Sequence, residues 1–107
     1  MNTVMHEVEL FDMRGTVAAL ELGRICGLSV ENVLELQEYG MLTPVNHDAA
    51  GPVFSAACIE PLRQAVNLRN RFDLDVFVLG LLFSHIEHSV ELERRIRALE
   101  AQLPRPP

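Results

Sequence analysis

Apolar and polar residues alternate over residues 3–11, TVMHEVELF, with Val4, His6, Val8 and Leu10 on one side and Thr3, Met5, Glu7, Glu9 and Phe11 on the other. A period of two belongs to a half-exposed strand, so a short edge strand is expected in an N-terminal arm spanning residues 1–15. Beyond the arm the period lengthens. A helix fits around residues 18–26 and closes at Gly27, a residue that adopts a left-handed C-cap without steric cost. Ser29 is placed to cap a second helix, with Glu31 in its first turn complementing the helix dipole. Val30, Val33, Leu34 and Leu36 form the apolar side of that helix and leave Glu31, Glu35 and Glu38 together on another face. Gly40 ends it. Two short helices joined by a tight break have the pattern of a helix-turn-helix.

The segment Thr43–Val53, TPVNHDAAGPV, holds two Pro and one Gly between short apolar ends, the composition of a turn or small hairpin, here called the wing. Ser55 can cap a third helix running to about Phe72. Pro61 restricts where that helix starts: from Ala56 it would remove an interior hydrogen bond and crowd the carbonyl of Ala57. The helix therefore either kinks there or begins nearer Glu60. From Asp75, another good cap, no proline appears until Pro104, which allows one long helix. Its first part, VFVLGLLF, is apolar all round and is expected to be buried. In its second part Leu92, Ile96, Leu99 and Leu103 are spaced by four, three and four, the seam of a coiled coil. At this length the helix outreaches a small domain's own core, so dimerisation along the seam is expected rather than packing back in cis. The closing PRPP is expected to be a disordered tail.

The chain has 107 residues, which allows one domain. It divides into the arm or strand over 1–15, helix-turn-helix and wing over 16–54, third and long C-terminal helices over 55–103, and tail over 104–107. The expected fold is mostly α: a winged helix-turn-helix with a long C-terminal helix. Val76–Phe83 is the longest strictly apolar run and falls well short of the 18 or so residues that span a bilayer. The N-terminus lacks a basic region followed by an apolar stretch, so no signal peptide and no membrane partner are expected. Cys26 and Cys58 are the only cysteines. Without export signals they read as reduced thiols in the cytoplasm, acting as small buried hydrophobes.

Charge decides what such a fold can bind. Fifteen acids face nine Arg and no Lys, a net charge of -6. The whole excess lies in residues 1–54, because the seven acids and seven Arg of residues 55–107 cancel. A DNA reader neutralises phosphates with Lys or Arg and reads bases from its second helix. Ser29–Gly40 contains no Arg or Lys and three Glu, and the wing adds Asp48. Carboxylates in these places repel a polyanion, so no direct contact with nucleic acid is expected.

Catalytic and metal-binding constellations are absent from the pattern. His85, His88 and Glu91 stand at i, i+3 and i+6 of the last helix, but nothing nearby completes a metal site, and a solvated helix face accounts for them. His47 and Asp48 are neighbouring polar residues in a turn-rich loop, where such residues are usual. There is no nucleophile motif, phosphate loop or dinucleotide fingerprint, and neither an enzyme nor a cofactor is expected.

From about Leu20 to Leu103 the chain resembles the MerR superfamily: helix-turn-helix, wing, third helix, then a dimerising helix. The cue is GMLTP, Gly40–Pro44, similar to the superfamily's Gly-Leu-Leu-x-Pro at the end of the second helix. DNA-binding members carry Arg-Tyr-Tyr-Glu just before it and Arg in the wing. Here those places hold Leu34, Glu35, Leu36 and Gln37, and the wing reads NHDAAGPVF. Within the superfamily the chain is most similar to the chaperone-modulator (CbpM) family of short acidic proteins. In that family a Leu-Arg pair leads to a hydrophobic-Asp-Leu corner, here AVNLRNRFDLD (Ala65–Asp75), followed by an apolar helix with an internal glycine, here Gly80. A longer N-terminal segment and Pro61 depart from the family's pattern.

The resemblance implies a modulator that binds the J-domain of a DnaJ-like (CbpA-type) co-chaperone. It would inhibit that partner's work with DnaK and restrain its DNA binding. J-domains present a basic helix, so Glu31, Glu35, Glu38 and the loop acid Asp48 are expected in the partner-binding surface, and Leu92, Ile96, Leu99 and Leu103 in a homodimer interface. The alternative is a MerR-like DNA-binding transcriptional regulator.

Overall fold

Three helical segments begin where a small polar side chain can take a backbone N–H that has no helical acceptor. Ser29 Oγ accepts from Asn32 N at 3.1 Å, Ser55 Oγ from Ala57 N at 3.2 Å, and Asp75 Oδ2 from Phe77 N at 2.9 Å. The computed structural model describes residues 15–104. The strand expected over residues 3–11 and the end of the PRPP tail lie outside the described residues. In chain order the elements are β1 (Thr16–Ala18), α1 (Ala19–Cys26), α2 (Val30–Glu38), β2 (Asn46–Asp48), β3 (Gly51–Ser55), a 3-10 turn (Ala56–Cys58), α3 (Ile59–Phe72) and α4 (Val76–Gln102). The fold is mostly helical, with one small antiparallel sheet in the order β1-β3-β2.

Gly27 closes α1 in the left-handed region, φ 86°, and with Leu28 donates its N–H to the carbonyl of Gly23. The chain enters α2 three residues after Gly27. β2 and β3 make the expected hairpin, with His47 opposite Pro52 and Asp48 opposite Gly51. The sheet gains a third strand that the alternation did not announce: β1 pairs Val17 with Phe54 and Ala18 with Val53. Three residues are too few to show a period, and β1 exists because β3 offers it an edge.

The two options at Pro61 resolve in favour of a late start. Ser55 caps the 3-10 turn rather than the α-helix, and α3 begins at Ile59, which puts Pro61 in its first turn. There a missing N–H costs nothing and a fixed φ suits the helix. Asp73 ends α3 at φ 53°, and the corner behind it is tied by Arg69, whose Nε donates to the carbonyl of Leu74 at 3.2 Å and whose guanidinium donates to Asn32 Oδ1 at 3.3 Å. That clamp holds the start of α2 against the α3–α4 corner.

The core gathers Leu22, Val33, Leu36, Phe54, Leu62, Leu79 and Phe83, all fully buried, from four helices and β3. Two expectations need correcting. Leu34 is exposed and stands on the glutamate side of α2 rather than its apolar side. VFVLGLLF is buried on one side only: Val76, Leu79, Gly80 and Phe83 face the core, while Phe77, Val78 and Leu81 face solvent. The reason is coverage, since the other elements pack against a single face of α4.

Both cysteines are buried and unbridged, and Cys26 Sγ lies 3.7 Å from the carbonyl of Ile59. Burial pushes each thiol up to about 12, with neighbouring Cys58 adding to the effect on Cys26 and Glu87 to that on Cys58. The thiolate is the reactive form. In the folded protein at pH 8 an aromatic disulfide reagent should therefore leave both thiols unmodified, and in denaturant it should titrate two. Rapid modification of the native protein would contradict this burial.

Candidate functional site

α2 is amphipathic because Val33 and Leu36 reach the core while the residues between them turn outward. Its outer side is an open depression of about 620 Å³ lined by Glu31, Leu34, Glu35, Gln37 and Glu38. The structure thus brings together the three glutamates selected from the sequence. Asp48, the fourth, does not line this depression; it sits at the hairpin turn, where its carboxylate accepts the Ala50 N–H at 2.8 Å.

Glu35 is held in place by local contacts. Tyr39 Oη donates to Glu35 Oε2 at 3.1 Å, and Asn32 Nδ2 donates to Glu35 Oε1 at 3.4 Å. The Glu35 hydrogen bond, reinforced by the charges of Glu35, Asp75 and Glu38, holds the Tyr39 phenol above its ordinary range. No cation offsets this field locally in sequence: the chain has no Lys or Arg between Arg24 and Arg63, nor between Arg71 and Arg94. α2, the wing and the first two-thirds of α4 come from those stretches.

Sequence reasoning missed an apolar ridge beside the glutamates. The Tyr39 and Phe77 rings meet edge to face with centroids 5.3 Å apart, joining the end of α2 to the start of α4. Leu81 follows one turn after Phe77 and is 50% exposed. Gly80 lies at this junction: a Cβ there would meet Met41 Sδ and come within 2.9 Å of Leu36 Cδ2, the ends of two flexible side chains that would have to shift to make room. The signal was available: a helix apolar on every side needs cover on every side, and a chain this short has little to supply it.

Leu92, Ile96 and Leu99 fall on one exposed face of α4, whereas Leu103, expected to continue the seam, follows the helix end as an extended C-cap; every residue from Glu91 to Leu103 is exposed. Among the described residues, nothing of the chain's own packs against the seam. Glu91 pairs with Arg94 at 3.5 Å and Arg95 at 3.3 Å along the same helix. These are exposed pairs of small individual worth.

A second depression, about 420 Å³, is lined by Ala57, Pro61, Ser84, Glu87, His88 and Glu91 among others. Partial burial raises the Glu87 carboxyl above its ordinary range. His85 and His88 are exposed, and no group of His, Cys, Asp and Glu able to hold a metal ion occurs among the described residues. No helix among them is long and apolar enough to cross a membrane. Comparison with family models, with curated proteins and with solved structures finds no match.

Proposed function

We propose that this chain is a non-catalytic modulator of MerR-like winged helix-turn-helix architecture that acts in the cytoplasm on the J-domain of a DnaJ-like (CbpA-type) co-chaperone. It occupies the basic helix that the J-domain offers to DnaK, and so inhibits the co-chaperone and restrains its DNA binding. One observation carries the reading: the outer face of α2, where a DNA reader places its cations, presents Glu31, Glu35 and Glu38 and no Arg or Lys. An acidic surface of this kind attracts a basic helix, speeds encounter and rejects DNA. The modulator works as a homodimer through Leu92, Ile96, Leu99 and Leu103, whose exposure supports the assignment.

The test is a titration against the J-domain of the DnaJ-like protein from the same genome, at low and moderate salt, with duplex DNA in parallel. Saturable J-domain binding that weakens with salt is expected, and no DNA binding. Exposed ion pairs contribute up to about 1 kcal/mol each, and reversal replaces attraction by repulsion. Glu35→Lys with Glu38→Lys should therefore weaken the complex by about 10-fold or more, mainly through a slower association rate. DNA binding without J-domain binding would favour a MerR-like transcriptional regulator instead.

A further inference from the structure

The glutamates of α2 adjoin an apolar surface that the proposed role does not use. Tyr39 closes α2 and touches Phe77; Leu81 continues the line along α4, and all three are at least 43% exposed. Acids border this ridge: Glu35 is hydrogen-bonded to the Tyr39 hydroxyl, and Glu38 and Asp75 lie close enough to act on it. Arg69, which reaches α2 from α3, is turned to Asn32 and to the carbonyl of Leu74. An apolar strip with acidic borders has the complement of one kind of object, an amphipathic helix with apolar anchors and flanking Lys or Arg.

We infer that Tyr39, Phe77 and Leu81 form the apolar centre of the docking face, with Glu35, Glu38 and Asp75 as its charged rim, and that the occupant is a basic amphipathic helix of a partner protein. Naming that helix as the J-domain's rests on the function proposed above; the surface itself does not. A second copy of the chain is a poorer occupant. Its exposed C-terminal segment carries Glu91, Glu93 and Glu100 against Arg94, Arg95 and Arg97, so it offers the acidic rim no net charge. The two parts of the face have separate tasks. Aromatic and aliphatic anchors at the centre of an interface govern how long the complex lasts, while rim charges govern how fast it forms.

Kinetics separate these roles. Binding of the J-domain to the full-length protein is followed at several salt concentrations for the wild type, Phe77→Ala, Leu81→Ala and the Glu35→Lys/Glu38→Lys pair. The two alanine variants are expected to speed dissociation by about 10-fold or more, with the association rate and its salt dependence almost unchanged. The lysine pair should slow association and flatten the salt dependence. A synthetic amphipathic helix of Lys and Leu, carrying no J-domain sequence, is the second probe. If the wild type binds this helix and ignores the J-domain, and Leu81→Ala weakens that binding, the docking face stands and the named partner falls. Wild-type dissociation rates in both alanine variants overturn the inference, as does failure of the wild type to bind either probe. So does a weaker self-association of Phe77→Ala and Leu81→Ala in sedimentation, which would make the ridge part of the dimer seam.

Discussion

Phe83→Ala is expected to lower the unfolding free energy by about 3–5 kcal/mol, whereas the same change at Phe77 should cost less than about 1 kcal/mol. The two residues share a type and a helix and differ only in the face they occupy. Phe83 is 0% exposed within the core cluster, and Phe77 is 43% exposed at the start of α4, against Tyr39. Truncating the first leaves a cavity between α4 and the elements packed on it. Truncating the second mostly gives back surface that water already reaches. Small domains have only about 5–15 kcal/mol in hand, so Phe83→Ala sits near the edge of folding at ambient temperature. Urea unfolding followed by circular dichroism measures both, and similar slopes would keep the comparison within one unfolding reaction. Equal losses at the two positions would mean that α4 is covered on both faces, and that the docking ridge has no solvent-facing centre.

The second large effect concerns association. Placing Asp at both Ile96 and Leu99 puts two carboxylates into each strand of the proposed dimer seam, where an unpaired charge is costly to bury. The dissociation constant of the homodimer should rise by at least about 100-fold, and sedimentation should report a monomer at concentrations where the wild type is dimeric. Both side chains are more than half exposed in the single chain, so neither substitution disturbs the core. The ion pairs from Glu91 to Arg94 and Arg95 also survive it. Far-UV circular dichroism should therefore stay helical. A double variant that sediments like the wild type would remove these residues from the seam. J-domain binding by the monomeric variant would further show whether docking needs two copies.

Local chemistry made much of this protein readable along the chain. The caps at Ser29 and Asp75, the turn at Gly27 and the hairpin between Asn46 and Ser55 depend on neighbouring residues only, and each stands where its residue type demands. The three glutamates of α2 share a face because helical spacing alone puts them there. Burial of the two cysteines follows from their being small and apolar. The Arg-free stretches, and with them the expectation that this surface does not read DNA, are likewise a property of composition.

The remainder depended on which elements meet. β1 became a strand because β3 presented an edge to it, and Pro61 fell into the first turn of α3 because a 3-10 turn took up the residues before it. Leu34 and Leu81 look like core residues in sequence and face solvent, since hydropathy states a preference for cover and only the arrangement of neighbours supplies it. The run from Val76 to Phe83 shows this most plainly. Its composition marked it for burial throughout, and the fold had cover for one side. The Tyr39–Phe77 contact joins residues 38 positions apart, brought together by the close approach at Gly80 and by the Arg69 clamp on the α3–α4 corner. Spacing along a chain can place residues on the same face of one helix. A surface shared by two helices exists only once packing has set their distance and angle.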